Sequence, residues 1–221
     1  MKRILLIATA MAVLLLQGCA TSRSTVNIPA PDPATVTATA TATATHAMPG
    51  PSLYIRNVTD QRHFEEAPRS ADIPSLGFEG ATAATAERKA RAIGRKRNGF
   101  GKALGDVQLP EGTSVTDLIR AYASEGFEDA GWHVVAQPAD DVTTVDIAVT
   151  RFWSWFQPGF WAIALNTDIE TEFAFSDKHE LSPIHVHVKD HMQVAVDSDW
   201  VANNQLTLER YREAVAQQAV P

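Results

Sequence analysis

The chain of 221 residues contains one cysteine, Cys19, so no disulfide can form within it and its core must hold by packing alone. The same count excludes zinc-ribbon and C-x-x-C redox chemistry. No apolar run beyond the first 18 residues is long enough to span a bilayer. Basic charge is scarce: 19 Lys and Arg face 26 Asp and Glu, and a net charge of -7 argues against a general nucleic-acid binder. Catalytic signatures are also missing. There is no G-x-S-x-G elbow, and His179-Glu180 runs into Leu181, Ser182 and Pro183 rather than a second zinc-binding His. Gly94 and Gly99 have phosphate-loop spacing, but Phe100 stands where Lys is required. Gly99 and Gly101 are followed by Gly105, which is not the dinucleotide spacing. The expectation is a non-enzymatic protein with no cofactor beyond covalent lipid.

What is present begins at the N-terminus. Lys2 and Arg3 precede an apolar run from Ile4 to Leu16, the length of a signal-peptide core. The run closes on Leu16-Gln17-Gly18-Cys19, which resembles the lipobox of bacterial lipoproteins. That resemblance implies cleavage before Cys19, an S-diacylglycerol on its thiol and an N-acyl chain on its new amine. Two acyl chains already make membrane binding stable, so a third makes it effectively permanent. The alternative is an ordinary secreted protein in which Cys19 is a chance residue. The domain reading is a signal peptide over 1–18, a lipidated and disordered Ala/Thr/Pro tether over 19–51, and one α+β domain over 52–221. Such a tether averages roughly 30 Å in reach, or about 100 Å fully extended.

Ser52 to Val58 alternates as a first strand, and residues 63–87 lack periodicity and read as loop. Asn98-Gly99 suits a type I′ turn between two short strands. Ser114 caps a helix whose stripe is Val115, Leu118, Ile119, Tyr122 and Phe127, and Gly131 stops it. Three long alternating strands follow, through Val145–Val149, Trp161–Phe175 and Ile184–Val196, then a helix near Asn204–Gln218. This predicts an antiparallel sheet of about four to five strands with two helices on one face.

Three clusters are candidate sites. His185 and His187 share one strand face about 7 Å apart, within reach of one metal, with His191 two steps further on. The competing reading is a solvated charged face, with Glu172 opposite His187, Glu170 opposite Lys189 and Asp168 opposite His191. A second cluster, Arg88, Lys89, Arg91, Arg95, Lys96, Arg97 and Lys102, suits an anionic surface or a solvated loop. The third is Phe152, Trp153, Trp155, Phe156, Phe160 and Trp161 around Pro158-Gly159, an aromatic hairpin tip. It reads either as a contact surface or as core beneath the loop of residues 63–90.

The lipobox, the Asp60-x-Arg62 turn after a first strand, Ile93-Gly94 leading to Arg97-Asn98-Gly99-Phe100-Gly101, and a helix ending at Gly131 before Val134 occur in that order. Together they resemble YajG-type lipoproteins over about residues 52–218. The resemblance implies a lipid-anchored protein of the Gram-negative outer membrane facing the periplasm, with no catalytic residues. Ala20 after the lipidated Cys is similar to outer-membrane sorting signals. The expected partners are the membrane, through the anchor, and another envelope component bound by the aromatic tip with Arg95, Lys96 and Arg97. The alternative is an accessory lipoprotein of a lipid or lipopolysaccharide transport system.

Overall fold

The computed structural model describes residues 24–29, 50–77, 80–97, 103–159 and 161–221. Cys19, the Asn98-Gly99 turn, Lys102 and Phe160 lie outside them. The described elements are β1 (Ser24–Thr25), β2 (Ser52–Asp60), α1 (Gly80–Ala83), α2 (Ala86–Arg91), β3 (Ala92–Arg97), β4 (Ala103–Gln108), α3 (Val115–Asp129), β5 (His133–Val134), β6 (Thr143–Pro158), β7 (Ile163–Phe175), β8 (Ile184–Met192) and α4 (Asp197–Gln218).

The sheet corrects the sequence-based fold class. It is a mixed sheet of eight strands with four helices among the described residues, not four to five antiparallel strands with two helices. Hairpin neighbours β3–β4, β6–β7 and β7–β8 are antiparallel, whereas β1–β4, β2–β5, β2–β6 and β3–β6 are parallel. The reason is the length of β6. Its first half pairs with β2, from Leu53 opposite Thr143 to Asp60 opposite Val149, and its second half pairs with β3, where Gly94 faces Ser154. Two short strands thus lie end to end along one long one, and alternation within each cannot reveal such an order.

The amphipathic stripes do build the core. Ser114 accepts the amide of Asp117 and the Asp117 carboxylate accepts that of Ser114, a reciprocal cap that starts α3. Leu118, Ile119, Tyr122 and Phe127 of α3 and Leu208, Tyr211 and Val215 of α4 bury against Leu53, Ile55, Val145, Ile147, Leu165 and Ile169. Helix α4 starts at Asp197, seven residues before the expected start near Asn204. Its buried Asn203 and Asn204 accept from Thr167 and Ser154 of the sheet, and the buried Thr207 donates to the Asn203 carbonyl. These polar residues hid the helix face from a search for apolar spacing.

The tether reading also changes. Ser24 and Thr25 pair with Val107 and Gln108 at the free edge of β4, and Val26 and Ile28 are buried in the main core. The Tyr122 hydroxyl donates to the Pro29 carbonyl at 3.0 Å. Residues 24–29 are therefore docked on the domain, with Ser24–Thr25 as an edge strand, rather than part of a free linker. The region of residues 63–87 read as loop holds two short helices and lies over the opposite face of the sheet. There Leu76, Ala84, Ala92 and Trp153 form a second cluster, with Phe64 and Trp155 against it.

Candidate functional site

The structure divides the aromatic tip. Phe152 and Trp153 are fully buried, and being consecutive on a strand they enter opposite clusters, Phe152 the main core and Trp153 the second. Phe64 stacks edge-on against Trp153 with ring centroids 6.0 Å apart, and the Trp153 indole N–H donates to the Ala71 carbonyl at 3.2 Å. Neither residue is available to a partner, which corrects their assignment as contact residues. Trp155 and Phe156 are half-buried, while Trp161 is 83% exposed.

The basic cluster divides too. Arg88, Lys89 and Arg91 lie on α2, and Arg95, Lys96 and Arg97 lie on β3, so this is not a solvated loop. Arg95 and Arg97 both donate to the Ser75 hydroxyl, at 3.1 and 3.4 Å. Burial, and then the adjacent Arg95 guanidinium, push Arg97 below the usual guanidinium range. Lys96 Nζ donates to the Ser24 hydroxyl and to Asp197 Oδ1, the latter at 2.6 Å. The Lys96 bond holds the Asp197 carboxyl below its ordinary value.

These two divided groups meet at one end of the sheet. The ends of β3, β6 and β8 and the starts of β4, β7 and α4 surround a groove of about 290 Å³. Lys96, Arg97, Leu104, Phe156 and Val194 line it, and the buried Trp200 forms its floor. Gly94 makes that floor possible. A Cβ there would lie 2.8 Å from both the Trp200 ring and the Ser154 carbonyl oxygen. Leu104, Trp161, Val194 and Val196 are exposed at 39%, 83%, 71% and 54%. The last two were read as strand, but β8 ends at Met192, which leaves them in the open segment before α4. Sequence alternation ran through this boundary without a signal.

The His-rich strand keeps the acid-against-base pairing of the charged-face reading at His185 and His187, with the register slipped. The β7–β8 turn centres about two residues earlier than expected, and within it Asp177 accepts the His179 amide at 2.9 Å. The register shifts accordingly: Asp168 faces His187, Glu170 faces His185, Asn166 faces Lys189 and Ala164 faces His191. The buried Asp168 carboxylate lies 2.6 Å from His187 Nδ1, 3.4 Å from His185 Nε2 and 3.5 Å from Arg151. Its charge is thus surrounded by potential donors, as burial of a carboxylate demands. Among the described residues no group of three His, Cys, Asp or Glu side chains is arranged to hold a metal ion.

No protein-family model matches the sequence, and no curated protein matches it either. Among solved structures, a Xanthomonas campestris protein of the DUF330 family is similar over 90% of this chain and 93% of its own, with a TM-score of 0.42 and 15% identity. A second, titled an uncharacterized protein, is similar over 76% of this chain and 97% of its own, with a TM-score of 0.36 and 12% identity. No described helix is long and apolar enough to cross a membrane.

Proposed function

We propose that this is a non-enzymatic lipoprotein of the outer membrane, anchored through Cys19, whose periplasmic domain binds another envelope component with the Trp161 end of its sheet. One observation carries the binding reading. Leu104 and Val194 stand exposed in a groove whose wall holds two cations, and the exposed Trp161 and Val196 lie close in the chain to Ile163 and Ala195, which also line it. Exposed apolar side chains gathered at one end of a domain mark a contact surface. The lipobox-like Leu16-Gln17-Gly18-Cys19 and the ordered motifs resembling YajG-type lipoproteins support the anchor and the compartment. An accessory role in lipid or lipopolysaccharide transport is favoured by the groove itself, apolar on one side and cationic on the other.

Photo-crosslinking in living cells tests the binding reading. A photoreactive residue in place of Trp161 should give a specific adduct, and one in place of Glu213, exposed on α4, should give none. Equal labelling from both positions, or from neither, would count against a dedicated surface. Lipid recovered with the purified domain would favour the transport role.

A further inference from the structure

The docking of β1 changes where the domain can sit. Only residues 20–23 separate Cys19 from Ser24, so at about 3.3–3.6 Å per residue Ser24 lies within about 18 Å of the Cys19 α-carbon. A headgroup layer occupies roughly 5–8 Å of each leaflet. Ser24 therefore stays within about 10–13 Å of the headgroups, where a free tether of the expected length would allow about 100 Å.

The direction of entry is equally constrained. β1 runs parallel to β4 with Ser24 opposite Val107, so the N-terminal end of β1 points toward the end of the sheet where β4 begins, the side of Leu104. Lys96, at the groove, bonds Ser24 directly. The anchor therefore meets the domain at the same end as Trp161, Val194 and Val196. Trp is favoured at a membrane interface, where its ring is half in hydrocarbon and half in water. Valine and leucine side chains gain by leaving water.

From this coincidence we infer that the Trp161 end of the domain rests on the leaflet that carries the Cys19 anchor, and that the component it contacts is the lipid headgroup surface. The inference rests on Cys19 being the lipidated residue. The long axis of β6 then points away from the membrane. Thr143, at its start, stands about 40 Å from Phe156 at about 3.3 Å per residue. The loop around Asp141 becomes the distal tip facing the periplasm.

The single cysteine makes the test direct, since lipidation consumes it and an introduced cysteine is then the only free thiol. The full mature protein, with Val194→Cys or Asp141→Cys, carries a nitrobenzoxadiazole label and is reconstituted in phosphatidylethanolamine/phosphatidylglycerol vesicles. Some vesicles hold a spin-labelled quenching lipid, and the mass of the N-terminal peptide is measured on the same sample. The expected result is a triacylated Cys19 peptide, loss of most emission from the Val194 label with the quenching lipid, and little loss from the Asp141 label. A lipidated Cys19 with both labels quenched only by water-soluble iodide overturns the apposition and leaves the anchor standing. An unmodified Cys19 overturns both. A photoreactive residue at Val194 that captures a protein rather than lipid in cells also overturns the inference.

Discussion

The guanidinium of Arg62 grips the carboxylate of Asp60, two residues before it, through bonds of 2.8 and 2.7 Å. Its remaining donors reach the carbonyls of Ala92, Phe152 and Lys89, at 2.6, 3.1 and 2.6 Å. One fully buried side chain thereby joins the end of β2 to α2, the start of β3 and the middle of β6. Arg62→Ala strands a carboxylate and three carbonyls, and should destabilise the domain by about 3–5 kcal/mol in urea unfolding. Arg62→Lys should restore little, because a single ammonium cannot match a planar fork.

Trp153 and Trp161 should separate folding from contact. Trp153→Ala opens a cavity where the side chain has no exposure, and a loss of about 3–5 kcal/mol is expected. Trp161→Ala should change stability by less than about 0.5 kcal/mol while weakening contact at the groove end, read as reduced crosslinking there. A melting temperature that falls alike for both variants would contradict the division.

Gly126 lets α3 and α4 approach closely. A Cβ there would stand 2.7 Å from the Val215 Cβ and 2.8 Å from the Arg212 carbonyl oxygen. Gly126→Ala should cost about 1–3 kcal/mol by forcing the helices apart, despite the higher helix propensity of Ala. Thermal unfolding gives the sign directly.

Asp177 predicts a small acid-sensitive contribution. The backbone amide of His179 chiefly, with the Thr143 hydroxyl and the His179 ring, holds its carboxyl down at about 2. Since the folded value lies below the unfolded one near 3.9, the stabilisation is present above about pH 4 and fades as pH falls toward 2. With the side chain 37% exposed, solvent screening keeps it below about 1 kcal/mol. Asp177→Asn should remove this part of the pH dependence in unfolding followed from pH 5 to 2.

Docking of β1 should be visible by hydrogen exchange. The Val26 amide donates to the Gln108 carbonyl at 2.9 Å, and burial of Val26 and Ile28 holds it there. Val26→Asp combined with Ile28→Asp would place two carboxylates in apolar surroundings and should expel the strand. Fast exchange at residue 26 with continued protection along β6 and β7 is the expected pattern. Loss of protection throughout would mean that β1 is needed for the whole fold.

Local chemistry made several elements legible in advance. The Ser114 cap, the α3 stripe and the alternation of β6, β7 and β8 each depend on neighbours within a few residues, and each element formed there, although β6 runs on to Pro158 and β8 stops at Met192. Two features depended on distant partners instead. The charged pairing of β7 with β8 formed as expected, but its register, which puts Asp168 opposite His187, is a property of the two-strand ladder and not of either strand alone. The start of α4 was hidden because its inner face is polar, satisfied by Ser154 and Thr167 across the sheet.

Composition, the single cysteine and the N-terminal apolar run were enough to exclude disulfides and later helical spans, and to nominate Cys19 as an anchor, since these are properties of residue type and order. Whether an aromatic side chain is core or surface is a property of what covers it. Only the tertiary structure could bury Trp153 beneath Phe64, leave Trp161 exposed, and seat Val26 and Ile28 in the core. The short Ala- and Thr-rich neighbourhood of β1 carries too little apolar area to signal order by itself. It is ordered because the β4 edge pairs with it and the main core takes up Val26 and Ile28.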